Sequence, residues 1–155
     1  LLPDSQLDRF TVRLSLGYPD EEAERELVRA RREGDPLARI VPVVTRAQLC
    51  RMQQEAAAVF VKDEVIDYIV RLVRATRAHR LLLRGASPRA TLSVTAMARA
   101  VAYLKGRDFV IPADVNAVFA DTVAHRLLPA PEAGSIRVLL DELLRQTPAP
   151  HWAGA

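Results

Sequence analysis

Two arginines of this chain are candidates to bind a phosphate through their guanidinium groups. Arg9 directly precedes a segment of alternating polarity, and Arg89 falls in the first turn of a predicted helix that Ser87 caps and Pro88 opens. Arginine stays charged and offers planar, paired donors to phosphate oxygens, and a helix N-terminus already favours an anion. The alternative without function is a surface Arg9 paired with Asp8 and an exposed Arg89 that opposes the helix dipole.

No other residues of the sequence form a recognisable catalytic or metal-binding set. His79, His125 and His151 are far apart and have no carboxylate pairing, and Cys50 is the single cysteine. One cysteine excludes an internal disulfide and a cysteine-based zinc site. The sequence has no G-x-x-x-x-G-K-[ST] segment, and neither of its two lysines follows a glycine. We therefore expect neither a metal site nor a phosphate loop in this chain.

The elements that position the two arginines are predicted to be mostly helices. Strict alternation over residues 10–16 predicts one β-strand, and a short helix is predicted before it at residues 3–8. Because a single strand is not stable alone, its sheet must lie outside the chain or in another copy. Caps and helical periodicity predict six more helices, at 20–32, 45–60, 63–79, 87–105, 112–126 and 135–146.

The predicted fold class is all-α: a helical bundle preceded by a short helix and one orphan β-strand. Two helix faces are predicted to point inward. They carry Ile66, Ile69, Val73 and Thr76 on one helix, and Val115, Val118, Phe119, Thr122 and Val123 on the other. The segment from 81 to 86 is predicted to be a simple connection.

Composition agrees with a helical domain and limits the function. Half of the 155 residues are hydrophobic and only 5% are aromatic. The net charge is +3 and the basic residues are scattered, so we do not expect a nucleic-acid-binding face. No apolar run approaches the roughly 20 residues that span a bilayer, so membrane insertion is not expected. A lone cysteine is compatible with a cytoplasmic location.

Longer motifs around the two arginines resemble the end of the ATPase core and the helical lid of MoxR-type AAA+ ATPases. The first is Leu7-Asp8-Arg9-Phe10, in a pattern that continues to Gly17-Tyr18-Pro19-Asp20. The second is Gly85-Ala86-Ser87-Pro88-Arg89-Ala90. Residues 67–77, 105–115 and 125–127 also resemble the family, so the resemblance covers about residues 1–128, and the bundle is expected to be of the AAA+ lid type.

The resemblance implies a role for each arginine. Arg9 would be an arginine finger that reaches the ATP of a neighbouring subunit, and Arg89 would be sensor 2, which contacts the phosphates of ATP. Whether Arg89 serves its own subunit or the neighbour is left open. ATP and Mg²⁺ are expected in the complete parent protein, and neither is expected to bind this chain alone.

The resemblance also implies an assembly and a division of the chain. The parent is expected to form a ring that hydrolyses ATP and remodels or activates partners, among them proteins with von Willebrand factor A domains. Residues 1–18 would be the end of the core, 19–147 the lid and 148–155 a flexible tail. Because the sequence lacks a phosphate loop and does not begin with Met, we expect a fragment that does not hydrolyse ATP alone. The client and the ring size are left open.

Two functions of other classes are alternatives. A helical DNA-binding module is one, although the predicted helix at 112–126 carries Asp114 and Asp121 and few bases. The other is a protein-interaction adaptor that has no link to a nucleotide.

Overall fold

The fold is mainly helical, as the sequence predicts. A computed structural model of the chain describes residues 3–32 and 34–151. The ends of the predicted core segment and tail, residues 1, 2 and 152–155, lie outside the described residues. In chain order the helices are α1 (Asp4–Leu7), α2 (Glu21–Arg32), α3 (Arg46–Ala58), α4 (Asp63–Ala78), α5 (Pro88–Leu104), α6 (Pro112–Val123) and α7 (Ile136–Gln146). Two short strands, β1 (Leu82–Arg84) and β2 (Leu128–Pro129), and 3₁₀ turns at Pro36–Arg39 and Ala124–Arg126 complete the described elements.

The chain divides into two compact units, and the first holds the hydrophobic core. This unit contains Leu1–Arg13 and Gln53–Ala155. Its core lies among α4, α5, α6 and α7, where Tyr68, Phe119 and Leu140 are fully buried. Burial of such large side chains is the main favourable term in folding.

Helix α5 packs against α6 through a stripe of small residues. Ala90, Val94, Ala98 and Ala102 recur every fourth position and are all 0% exposed. Positions four apart lie on one face of a helix, and small side chains there let the two helices approach closely. The first turn of α5 is therefore held firmly against the body of the unit.

The predicted inward face is confirmed for α6 and partly wrong for α4. All five predicted residues of α6 are buried. On α4, however, Ile66 is 39% exposed, whereas Val65, Tyr68 and Leu72 are buried although they were not predicted to be. Helix α4 packs against both α5 and α7, so its buried face is wider than one stripe and is centred one position away.

The strand predicted at residues 10–16 does not form within the described chain. These residues have no strand structure, and Arg13 N donates to the carbonyl of Asp121 at 3.0 Å. A strand needs a neighbour to accept and donate its backbone hydrogen bonds, and none of the described strands lies against this segment. Phe10, Leu14 and Leu16 are exposed as a result, at 53%, 68% and 102%.

The connection predicted at residues 81–86 instead contains β1. This strand pairs antiparallel with β2, and Leu82 is opposite Pro129. Strands of two and three residues are too short to show an alternating pattern in the sequence. The pair ties the segment before α5 to the segment after α6.

The second unit, Leu14–Met52, contains α2, the first 3₁₀ turn and the beginning of α3. Local signals organise this unit, and α2 and α3 each begin at a side-chain cap. Asp20 Oδ1 accepts from Ala23 N at 2.8 Å. Thr45 and Gln48 form a reciprocal capping box. The N–H of Thr45 donates to Gln48 Oε1 at 2.7 Å, and the N–H of Gln48 donates to Thr45 Oγ1 at 3.2 Å.

No described residue of the second unit is buried. Exposed ion pairs on α2, such as Arg29 to Glu22 at 3.1 Å, contribute little to stability. Many large apolar side chains are exposed here as well; they include Leu27, Leu37, Ile40, Val41 and Val43. A segment of this kind stabilises the fold only where another surface covers it.

Two further observations concern the ends of the described chain and the membrane. Pro148, in the predicted tail, accepts a hydrogen bond from Arg71 at 3.1 Å through its carbonyl oxygen. None of the helices in the described part of the chain is long and apolar enough to cross a bilayer.

Candidate functional site

The segment that leads into α5 is packed tightly against α4. A Cβ added to Gly85 would lie 2.6 Å from both the Cα and the N of Arg77, so only glycine fits there. The next residue, Ala86, is 1% exposed, and its N–H donates to Thr76 Oγ1 at 3.0 Å. Its carbonyl accepts from Arg77 Nε at 2.7 Å. These contacts fix the position from which α5 starts.

Ser87 then caps α5, as the sequence predicts. Its Oγ accepts from the N–H of Arg89 at 3.2 Å, and Pro88 occupies the first helical position. Ala90 on the same turn is fully buried, whereas Arg89 is exposed. The guanidinium of Arg89 forms no ion pair or hydrogen bond with any described residue. A free guanidinium therefore stands at the positive end of a helix.

The segment that carries Arg9 packs against this helix start. Asp8 accepts a hydrogen bond from Ser87 Oγ, which lies 2.9 Å from each of its carboxylate oxygens. The Asp8 carboxylate is therefore directed at the start of α5 and not at its neighbour Arg9. The Arg9 side chain is exposed and makes no ion pair with the described part of the chain.

His125 and Arg126 hold the same segment from the other side. Both are nearly buried, at 8% and 4% exposed. The carbonyl of Phe10 accepts from His125 Nε2 at 3.0 Å and from Arg126 Nη2 at 2.6 Å. Arg126 Nη2 also donates to Ser93 Oγ at 2.9 Å. Arg126 thus joins α5 to the segment that follows Arg9.

The charges of this region are close enough to affect one another. Arg126 Nη1 lies 3.6 Å from Asp8 Oδ1. Burial lowers the pKa of Arg126; the negative charge of Asp8 opposes this shift and the positive charge of Arg89 adds to it. Asp8 is the one carboxylate in contact with Arg126, and Arg89 adds a second positive charge nearby, so an incoming anion meets a net positive charge.

The structure thereby places Arg9 and Arg89, which are far apart in the sequence, in neighbouring segments. Arg9 and Arg89 are connected through Asp8 and Ser87, which are 79 positions apart. The part played by His125 and Arg126 was not predicted from the sequence. No local pattern reveals it, because the partner is a backbone carbonyl 116 positions away.

A second buried charge cluster supports the fold just beyond the C-terminal end of α5. Asp114 is 0% exposed and accepts from Arg107 at 2.5 and 2.8 Å and from Ile111 N at 3.0 Å. Burial tends to raise the pKa of Asp114, but hydrogen bonds from Arg107, Ile111 N and Lys105 outweigh it and lower the pKa. Asp114 is consequently a structural residue that holds the turn into α6.

Comparison with known proteins identifies the class to which this arrangement belongs. Residues 74–145 match the AAA lid domain family. The matched region begins in α4, contains the Ser87–Arg89 start of α5 and ends in α7. Residues 74–145, which include the exposed Arg89, are therefore an AAA lid domain.

Similar proteins narrow the class. Chaperone MoxR1 of Mycobacterium tuberculosis is 40% identical over 136 residues, which are 82% of this chain and 36% of the relative. Protein MoxR of Methylorubrum extorquens is 37% identical over 76 residues, 46% of this chain and 22% of the relative. A crystal structure of a candidate ATPase from Cytophaga hutchinsonii superposes with a TM-score of 0.87 at 29% identity, over 97% of this chain and 50% of that one.

The chain belongs to the MoxR family of AAA+ ATPases and carries its lid region. It spans about a third of the length of the M. tuberculosis relative and half of the solved chain.

Proposed function

We propose that this chain is the lid portion of a ring-forming ATPase, in which Arg9 acts as an arginine finger and Arg89 as sensor 2. The nucleotide pocket would be built mostly by other parts of the complete protein. ATP hydrolysis in the ring would drive the remodelling or activation of partner proteins. Proteins with von Willebrand factor A domains are the partners we propose to test first.

One observation carries the proposal: the hydrogen bond between Asp8 and Ser87. Asp8 is adjacent to Arg9, and Ser87 caps the helix in which Arg89 occupies the first turn. Two guanidiniums that are 80 positions apart in the sequence are thus held in one region of the surface. Both side chains are exposed, and neither is paired with a described residue.

The chemistry of phosphoryl transfer needs groups of this kind. Negative charge is spread over the equatorial oxygens of the γ-phosphoryl group in the transition state, and a guanidinium placed there stabilises it. An arginine supplied by a neighbouring subunit makes hydrolysis depend on assembly. The residues present thus fit a triphosphate as donors to its oxygens.

Mg²⁺, which accompanies ATP in such reactions, has no such fit to the described residues. No group of three or more His, Cys, Asp and Glu side chains there can hold a metal ion. We therefore propose that Mg²⁺ binds to the rest of the complete protein.

The test is ATP hydrolysis by the complete protein that contains this chain. Arg9→Ala should lower turnover by about 10³-fold or more while leaving ATP binding intact, because a finger acts in the transition state. Arg89→Ala should also lower turnover. Arg145→Ala, at an exposed position of α7, is the matched control and should hydrolyse ATP normally. Wild-type turnover in the Arg9 variant would remove the finger assignment.

Subunit mixing tests whether Arg9 acts on the neighbour. Subunits with Arg9→Ala are mixed in equal amounts with subunits that lack the phosphate-loop lysine. If Arg9 acts across the interface, about a quarter of the interfaces in randomly mixed rings regain both functional parts, although each parent is inactive. No recovery would show that the finger does not work in trans.

A further inference from the structure

Three of the side chains that hold the N-terminal segment against the lid, Asp8, Ser87 and Arg126, also contact one another, and we call them the junction. Ser87 Oγ donates to Asp8 and accepts from the N–H of Arg89. Arg126 contacts the same carboxylate, at 3.6 Å, with its Nη1. A continuous chain of polar contacts therefore runs from the residue beside Arg9 to the backbone of Arg89.

We infer that Asp8 and Ser87 are positioning residues that make the placement of Arg9 and Arg89 interdependent. The inference rests on the proposed function, because it concerns the same two arginines. It goes further in naming the link by which a movement of either arginine reaches the other.

Burial makes the junction sensitive to loss of charge. The side chain of Arg126 is 1% exposed, and its Nε has no hydrogen-bond partner among the described residues. A buried guanidinium is costly unless it is paired, and Asp8 is the carboxylate within reach. If Asp8 turned away from Ser87, Arg126 would also lose its counter-charge, so the contacts are expected to form or break together.

The geometry explains why the link joins these two arginines in particular. Both neighbours of Arg9 are held by hydrogen bonds: the carboxylate of Asp8 accepts from Ser87, and the carbonyl of Phe10 accepts from Arg126. Arg9 lies between two fixed points, so its backbone follows the lid while its side chain stays free. Arg89 is fixed in the same way, since Ser87 holds its N–H and the next residue, Ala90, is fully buried.

A matched pair of substitutions separates this role from helix capping. Aspartate and asparagine both cap helices well and have the same shape. Ser87→Asp keeps the cap but places a second negative charge against Asp8. Ser87→Asn keeps the cap and offers an N–H donor to Asp8.

Amide hydrogen exchange on the 155-residue chain measures the junction directly. The reporter is the N–H of Arg13, which is bonded to the carbonyl of Asp121 at 3.0 Å. Loss of a charge-assisted hydrogen bond corresponds to about tenfold faster amide exchange. We expect this increase at the Arg13 amide in the Ser87→Asp variant but not in the Ser87→Asn variant. The amide of Thr147, bonded to Leu143 at the far end of α7, is the internal control and should be unchanged. Equal exchange rates of the Arg13 amide in both variants would contradict the inference that the junction holds the N-terminal segment in place.

Turnover of the complete ATPase then tests the positioning role. Ser87→Asp should lower kcat about tenfold or more with little change in KM, and Ser87→Asn should retain activity. In the same Ser87→Asp protein the amide of Thr147 should keep its protection from exchange, a result that a general structural defect would not give. Loss of protection at Thr147 together with the loss of turnover would overturn the positioning role.

The two proposals fail in different ways. If Arg9→Ala and Arg89→Ala both hydrolyse ATP normally, the proposed function is wrong and the positioning role falls with it, while the exchange result still reports a structural link. If both arginine variants are inactive but Ser87→Asp is fully active, the proposed function stands and the positioning role alone is wrong.

Discussion

Replacing Gly85 by alanine tests the close approach on which the start of α5 depends. The added Cβ would meet three backbone atoms of α4: Arg77 Cα and N at 2.6 Å and the carbonyl carbon of Thr76 at 2.7 Å. Backbone of a packed helix cannot swing aside as the end of a long side chain can. The segment must therefore move away from α4, and the hydrogen bonds of Ala86 to Thr76 and Arg77 must lengthen.

The size of the effect follows from two opposing terms. Overpacking of a well-packed site costs about 1–3 kcal/mol. Alanine restricts the unfolded chain more than glycine does, which returns about 0.4–1 kcal/mol. We therefore expect Gly85→Ala to lower the free energy of unfolding by about 1–2 kcal/mol and the Tm by about 2–8 °C.

Urea unfolding followed by far-UV circular dichroism measures this change. Gly134→Ala is the control, because Gly134 has a positive φ of 64° but open space around its Cβ position. Its cost is conformational only, about 1 kcal/mol. A Gly85→Ala chain that is as stable as the unsubstituted one would refute the argument that glycine is required there for space.

The remaining predictions concern the core, a buried charge and the assembled ring. Phe119→Ala should destabilise the chain by about 3–5 kcal/mol, whereas Leu92→Ala, at a position 72% exposed, should cost less than about 0.5 kcal/mol in the same urea assay. Asp114→Asn should cost about 1.5–3 kcal/mol at neutral pH. Because the folded-state pKa of Asp114 is lowered, that stabilisation is present above the usual aspartate pKa of about 4 and is lost as the pH falls through the folded value, so urea titrations at decreasing pH should show the difference narrowing. In rings mixed from Arg9→Ala and Arg89→Ala subunits, ATPase activity should partly recover if Arg89 serves its own subunit, and should stay absent if both arginines serve the neighbour.

Sequence reasoning succeeded where the signal is local. Asp20, the Thr45–Gln48 pair and Ser87 all form the caps that their residue types predict. A cap is decided within four residues, so its prediction needs no knowledge of distant packing. The same holds for the inward face of α6, where periodicity alone selects the buried side.

Predictions failed where a distant partner decides the outcome. The alternation at residues 10–16 is genuine, but a strand forms only against another strand. Conversely, Leu82–Arg84 pairs with a segment more than forty positions later, and three residues carry no readable period. On α4, helical periodicity alone placed Ile66 inward, but the helix packs against both α5 and α7, and its buried face contains Val65 and Tyr68 instead.

The candidate site shows the same limit. The motif resemblance singled out Arg9 and Arg89, and residue type and position were enough to predict the cap at Ser87. It did not reveal that Asp8 would contact Ser87 or that Arg126 would be buried beside them. Hydrogen bonds between residues 79 and 116 positions apart have no counterpart in spacing or periodicity. The functional assignment of the two arginines stays a prediction.

The lack of any buried residue in the described part of Leu14–Met52 has a consequence for calorimetry. The heat capacity of unfolding and the denaturant slope both scale with the surface that becomes newly hydrated. Leu14–Met52 is roughly a quarter of the chain and is already in contact with water in the folded state. Its unfolding would therefore add almost nothing to the heat capacity change or to the denaturant slope. In a scanning calorimeter this protein should therefore behave like a distinctly smaller molecule than its mass suggests, and whatever covers that stretch should restore the missing heat capacity.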